Sequence, residues 1–196
     1  MNNSKTQLLH FLQKTNQIHS VKAMEIAEHF NEKIIAKGDF HLRENYTCNE
    51  YLFLDKGYMR AFAYNVEGAD VTTEFYAAGQ VVFEVSSFFK RTPSKENIQA
   101  LTDCSGWYIS YQQLNALFHS IPEFREFGRS VLVNGFASLK SRMLAMITAT
   151  AEERYNVLLH HNPDIFQYAP LKNIATFLGV TDTSLSRIRK QVLKKG

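Results

Sequence analysis

The 196-residue chain is poor in cysteine, proline and glycine, with 2, 4 and 9 of them. Two thiols, Cys48 and Cys104, fifty-six positions apart, cannot build a disulfide framework or a four-thiolate zinc site, and they suit a reducing compartment. So little Gly and Pro excludes collagen-like and low-complexity disordered chains. No stretch approaches the roughly 18 apolar residues of a membrane-spanning helix. The start of the chain has no signal-peptide pattern, because its best apolar stretch, Leu8 to Leu12, is short and broken by His10. These absences predict a cytoplasmic protein with no membrane partner.

What is present is 45% hydrophobic and 21% charged, the make-up of a globular chain with one large domain or two small ones. The net charge of +3 is unevenly placed. Residues 181–196 hold five basic side chains, Arg187, Arg189, Lys190, Lys194 and Lys195, against one acid, Asp182. The preceding 180 residues carry 17 basic against 18 acidic groups. A local basic patch on a neutral body is the electrostatic footprint of a polyanion partner, although a solvated basic tail has the same composition.

Residues 4–30 read helical from the spacing of Leu8, Leu12, Met24, Ala27 and Phe30, with Ser20 as a candidate N-cap. From about 33 to 111 short β runs alternate with turns such as Lys37-Gly38-Asp39, Asp55-Lys56-Gly57, Glu67-Gly68 and Ala78-Gly79. That rhythm predicts an antiparallel sandwich or small barrel. A short helix over Tyr111–Ser120 is stopped at Pro122, and a long one follows to about Ala149. Within it Leu132, Phe136, Leu139, Met143, Met146 and Thr150 are spaced 4, 3, 4, 3, 4, a heptad seam that predicts a dimer interface. Phe124, Phe127 and Val131 form a second apolar stripe, which would cover the β-domain. A single buried core helix is the alternative. Thr150-Ala-Glu-Glu153 is a capping box, so a new helix starts there and a joint lies near 148–150.

Residues 171–190 carry the functional signal. Ala175 is small where two helices would cross, Gly179 supplies a positive φ for the turn, and Ile174, Leu178, Val180, Leu185 and Ile188 provide apolar faces. Thr181 is a candidate N-cap and Asp182 an acid in the first turn of the second helix. The outward face, Asp182, Thr183, Ser186, Arg187 and Lys190, is polar and basic. This pattern predicts a helix-turn-helix whose second helix enters the major groove of double-stranded DNA.

The segment Ile174 to Lys190 resembles the DNA-reading motif of the Crp/Fnr family of bacterial transcription regulators. Asp55-Lys-Gly-Tyr-Met-Arg60, Glu67-Gly68 with Val71-Thr72, and Ile98 to Ser110 resemble turns and strands of that family's sensor domain. The resemblance implies an α+β chain: an N-terminal antiparallel, jelly-roll-like β-roll with flanking helices (1–122), a dimerisation helix (123–149) and a helix-turn-helix domain (150–196). It implies a homodimer through Leu132, Phe136, Leu139, Met143 and Met146, working on DNA and with RNA polymerase. Arg187 matches the family's guanine-contacting Arg, and Asp182 and Thr183 match other base-facing positions. Thr181, Ser184, Ser186 and Lys190 fit phosphate contacts.

Two departures stand out. Cyclic-nucleotide-binding members use a Gly-Glu pair and a later Arg on the phosphate, where this chain has Phe83-Glu84 and Ser94. Arg91 and Lys95 are nearby but displaced, so no cyclic AMP site is expected. Phe75, Phe83, Glu84, Arg91 and Lys95 remain candidates to line a pocket for an unidentified small-molecule effector, with aromatic core as the alternative for the Phe residues. Only six residues follow Lys190, too few for the two-stranded wing usual after the motif. No metal, haem, iron–sulfur or catalytic constellation is legible: His41 is alone in its segment, and His160-His161 reads as surface. No cofactor and no enzymatic activity are expected. The competing reading is a small-molecule-binding or protein-interaction module with a degenerate helix-turn-helix.

Overall fold

The unbroken apolar run Tyr51–Leu54 suits a strand covered on both faces, and it forms the middle of a sheet. A computed structural model describes residues 5–195, with side chains through Val192. Met1 to Ser4 of the N-terminal reading and the side chains of Lys194 and Lys195 in the basic patch lie outside the described residues. The chain is α+β and divides into two units. One holds the residues before Phe62 together with Phe75–Asn134; the other holds Phe62–Glu74 and the chain from Gly135 onward.

The first unit begins with α1 (Thr6–Gln13) and α2 (Ser20–Glu28). Strands β1 (Asn31–Ile35), β2 (Phe40–Leu42), β3 (Glu50–Lys56), β4 (Tyr58–Tyr64), β5 (Asp70–Ala77) and β6 (Val81–Val82) follow. Helix α3 (Val85–Lys90), strands β7 (Asn97–Ala100) and β8 (Cys104–Ser110), and helices α4 (Tyr111–Ser120) and α5 (Pro122–Thr148) complete the run. The strands form two four-stranded sheets, ordered β1-β8-β3-β6 and β2-β7-β4-β5. Sequence neighbours are thus often not sheet neighbours, as in a rolled, jelly-roll-like architecture.

Register explains one glycine. Gly106 of β8 lies opposite Leu54 of β3, and a Cβ there would come within 2.3 Å of the Phe53 carbonyl oxygen. Only a residue without a side chain allows the two strands to approach so closely. Leu8 and Leu12 of α1 and Ile26 of α2 are fully buried in the core of this unit. Phe11 sets its ring 5.0 Å from Phe53 and 5.2 Å, edge-on, from Phe127. Phe124 and Phe127, the second stripe of the long helix, are buried here as its spacing implied.

Three short elements were not legible in the sequence: β2, α3, and the four-residue helix α7 described below. Ser20 is the first helical residue of α2, and its N-cap position belongs to His19, whose side chain makes no cap bond.

The second unit is built on the C-terminal part of α5, then α6 (Ala151–His161), α7 (Ile165–Tyr168), α8 (Leu171–Phe177) and α9 (Asp182–Lys195). The tip of the β4–β5 hairpin, Phe62–Glu74, groups with these helices rather than with residues 1–122. The reason is local bonding. The Thr72 N–H donates to Thr176 Oγ1 of α8 at 3.1 Å, and Arg142 of α5 donates to the Thr73 carbonyl at 2.5 Å.

His41 is a buried ionisable group in the first unit, its side chain 1% exposed. Burial, reinforced by the nearby Lys33 ammonium, pushes its pKa down to about 3. The imidazole is therefore neutral at physiological pH, and its 3.7 Å approach to Glu50 is not an ion pair. Because the native state refuses a proton that the unfolded chain accepts below about pH 6.5, stability is full above that pH and falls as pH drops toward 3. Urea unfolding between pH 7.5 and 4.5 checks this. The wild type is expected to lose up to about 1.4 kcal/mol per pH unit more than His41→Leu below pH 6; equal slopes would contradict it.

Candidate nucleic-acid interface

Helix α6 starts where the sequence signalled. Thr150 Oγ1 accepts from the Glu153 N–H at 3.2 Å, and the Glu153 carboxylate accepts from the Thr150 N–H at 2.7 Å. Those bonds hold the Glu153 carboxyl below the usual carboxylate range. Tyr155 of α6 and Ile165 of α7 are buried, and Tyr155 sets its ring 5.6 Å from that of Phe166.

Helices α8 and α9 are joined by Leu178 to Thr181. Gly179 has φ +67°, a conformation costly for any residue with a Cβ. The turn is closed by the Val180 N–H on the Ala175 carbonyl at 3.0 Å and the Gly179 N–H on the Thr176 carbonyl at 3.1 Å. Thr181 Oγ1 then accepts from the Ser184 N–H at 3.2 Å, capping α9. Ile174, Ala175, Leu178, Leu185 and Ile188 are buried, and Val180 half-buried. Their burial fixes which side of α9 faces outward.

On that outward side Asp182, Thr183, Ser186, Arg187 and Lys190 are exposed. Positions 183, 186, 187 and 190 follow the i, i+3, i+4, i+7 rule and share one face. Two of the sequence-predicted contacts are engaged internally: the Thr181 hydroxyl donates to Ser184 Oγ at 3.0 Å, and Ser184 is half-buried. Arg189, counted in the basic patch, is half-buried with its guanidinium 5.1 Å from the Phe166 ring centroid, so it packs the unit together.

Sequence reasoning missed Arg154. From α6 its Nε and Nη2 donate to the Leu178 carbonyl at 3.1 and 3.0 Å, and its Nη1 donates to the Ala149 carbonyl at 2.7 Å. One guanidinium thereby satisfies a carbonyl of the reading turn and one at the end of α5. Nothing in the Glu-Glu-Arg string signals this, since both partners are fixed by tertiary placement.

The heptad seam of α5 is largely uncovered within the single chain, with Met146 meeting the Gly179 turn. Phe136 is 69% exposed, and Leu132, Leu139, Met143 and Met146 are also exposed, flanked by Val133, Leu144 and Ile147. No Cβ clash would arise at Gly135, whereas a Cβ at Gly128 would meet the Phe118 ring at 2.6 Å.

The candidate effector residues are engaged elsewhere. The Glu84 carboxylate accepts from the Ser86 and Ser87 N–H groups at 2.9 and 2.6 Å, capping α3. Arg91 donates to the Cys48 carbonyl at 2.9 Å, to the Phe88 carbonyl at 3.1 Å and to Asn49 Oδ1, and lies 4.2 Å from the Tyr111 ring centroid. Phe83 is packed among Tyr51, Phe88 and Phe89, Phe75 is buried, and Lys95 is exposed. Ser94 is buried and its hydroxyl donates to the Glu96 carbonyl at 2.8 Å. Among the described residues no three His, Cys, Asp or Glu side chains group as a metal site. Cys48 and Cys104 are free and buried, and burial pushes both thiols up. His160 and His161 are exposed. No helix among the described residues is long and apolar enough to cross a membrane.

Residues 32–120 match the model of the cyclic nucleotide-binding domain family. The chain has the fold of the Crp/Fnr transcription regulators, over most of its length. FixK2 from Bradyrhizobium japonicum superposes with a TM-score of 0.73 at 17% identity, covering 85% of this chain and 86% of its own. A protein from Eubacterium rectale assigned to the Crp/Fnr family gives 0.70 at 14% identity, covering 95% and 89%. A CooA variant from Carboxydothermus hydrogenoformans gives 0.65 at 17% identity, covering 88% and 80%. A search of curated protein sequences returns no match.

Removing Arg154 leaves the Leu178 carbonyl without its two N–H partners, a loss of about 1–3 kcal/mol. In Arg154→Ala the amides of residues 180–185 are expected to exchange hydrogen roughly 10- to 100-fold faster, while those of β3 and β8 keep their rates. Unchanged exchange across 180–185 would show that the guanidinium does not hold the turn.

Proposed function

We propose that this chain is a homodimeric, sequence-specific DNA-binding transcription regulator that works in the cytoplasm and not as an enzyme. The observation that carries the reading is the division of α9 into a buried apolar side and an exposed side bearing Thr183, Ser186, Arg187 and Lys190. A helix so divided suits the major groove, where an Arg makes the commonest specific contact with a guanine edge and a Lys meets phosphate. The fold shared with regulators supports the same reading.

The uncovered seam of α5 supports the dimer. An exposed row of large apolar side chains at heptad spacing has no role in a monomer, and a second copy of the same helix would cover it. Two copies related by a twofold axis would present α9 to half-sites about one helical turn apart, roughly 34–36 Å.

Cyclic AMP is not the effector in this reading. A cyclic phosphate needs free donors, and here Arg91 and the Ser94 hydroxyl both donate to backbone carbonyls of the chain, while the Glu84 carboxylate accepts from two backbone N–H groups. Any effector would be a different small molecule.

Selection of random duplex DNA at low salt is expected to enrich an inverted repeat; no enrichment, together with tight binding of a small molecule, would favour the interaction-module reading instead. On the selected site Arg187→Ala is expected to relax preference at one base pair per half-site, losing about 1–3 kcal/mol of discrimination. Lys190→Ala should weaken all sequences alike and flatten the salt dependence. Phe136→Asp is expected to yield monomers by sedimentation and to abolish binding of the repeat; a variant that stays dimeric would contradict the seam.

A further inference from the structure

Arg142 lies within the exposed stretch of α5 but is itself half-buried. Its guanidinium donates to the Thr73 carbonyl at 2.5 Å, faces the Glu74 carboxylate at 3.7 Å and lies 4.8 Å from the centroid of the Phe177 ring. Three elements meet at this one side chain: the long helix, the tip of the β4–β5 hairpin, and the first helix of the reading motif. A planar guanidinium suits such a place, because its edge donates in a fixed fork while its face stacks on an aromatic ring.

The neighbouring contacts run in the same direction. Lys172 and Thr176, four apart on α8, share a face. Thr176 accepts the Thr72 N–H at 3.1 Å, and Lys172 approaches the Asp70 carboxylate at 3.4 Å. Thr176 Oγ1 also donates to the Asn173 carbonyl at 3.0 Å, so its lone pairs are aimed at the hairpin by a bond within its own helix. The exposed Lys172–Asp70 pair adds little by itself. The weight falls on Thr176, which satisfies a strand N–H, and on Arg142, which reaches both partners at once. At the other end of α8 the Gly179 turn closes on Met146, one helical turn beyond Arg142, where a Cβ would stand 2.5 Å from the Met146 methyl. Helix α8 is thus fixed to α5 at two levels, and the hairpin completes the grip at one of them.

We propose that Arg142 is a positioning residue for DNA reading: by joining hairpin, long helix and α8, it fixes the bearing of α9 on the dimerisation helix and thereby the half-site separation the dimer accepts. This rests on the DNA-binding reading above and adds a determinant of specificity that touches no base. A dimer with a rigid bearing pays a deformation cost on any spacing but one, whereas a loosened one samples several.

The test uses the full-length protein and duplexes carrying the selected half-site as inverted repeats with centre-to-centre separations from 8 to 14 base pairs, alongside a single half-site. The wild type is expected to bind one separation at least tenfold more tightly than those two base pairs away. Arg142→Ala should flatten that profile to within threefold while single half-site affinity stays within threefold of the wild type. Thr176→Val, which keeps the side-chain shape and removes the acceptor, should flatten it less, and Arg142→Lys should lie between. Either Arg142→Ala or Thr176→Val retaining the full wild-type profile overturns the assignment. So does an equal loss of affinity at every separation and at the single site, since that is the signature of a merely structural residue. Wild-type protein that binds no repeat at any separation removes the DNA-binding reading itself, and this inference with it.

Discussion

The inner packing of two short helices decides what this protein presents to its surroundings. Ile174, Ala175 and Leu178 from α8 close on Leu185 and Ile188 from α9, and burying each large apolar side chain is worth about 1.5–3 kcal/mol. That gain is available in one rotational setting of α9. With the apolar stripe turned in, Thr183, Ser186, Arg187 and Lys190 are turned out, and a positive φ at Gly179 lets the chain reverse within four residues. Arg154 then ties the carbonyl of that reversal to the end of the long helix. The chemistry available to a polyanion follows from a hydrophobic constraint on the opposite side of the same helix.

The features legible in the sequence are those whose causes are local. The capping box at Thr150 and Glu153, the cap at Thr181 and the turn at Gly179 each depend on a few adjacent residues, and each is formed as the spacing implied. The two stripes on α5 were also readable, because heptad spacing is a property of one helix: Phe124 and Phe127 are buried, and the Phe136 stripe is exposed. Elements too short to show a period escaped, among them the three residues of β2 and the six of α3. So did every contact that depends on chain segments meeting from far apart. Arg154 with Leu178, Arg142 with Thr73 and Thr72 with Thr176 are separated by 24, 69 and 104 positions. The outward face with Arg187 and Lys190 was legible as well, but the place of Arg189 within the basic patch was not. Packing moves Arg189 onto Phe166 and leaves Arg187 and Lys190 outside.

The sensor end presents a contrast. Residues 32–120 are similar to a cyclic nucleotide-binding domain, yet the Glu84 carboxylate caps α3, and Arg91, seven residues on, donates to the carbonyls of Cys48 and Phe88. Aromatic rings fill the space around them, with Phe83, Phe88 and Phe89 packed edge to face. A guanidinium of the kind that binds a phosphate when left free serves here to close the fold on itself. Charge near a site is therefore poor evidence of binding until the partners of each charge are known.

Guanine N7 methylation protection on a selected duplex tests the central claim most directly, since N7 lies on the floor of the major groove. Protection should fall in two successive major-groove segments on one side of the duplex, about 10 base pairs apart, and one guanine per half-site should lose its protection in Arg187→Ala. No N7 protection within the half-sites, or protection unchanged in that variant, would contradict an account in which the outward side of α9 reads the bases.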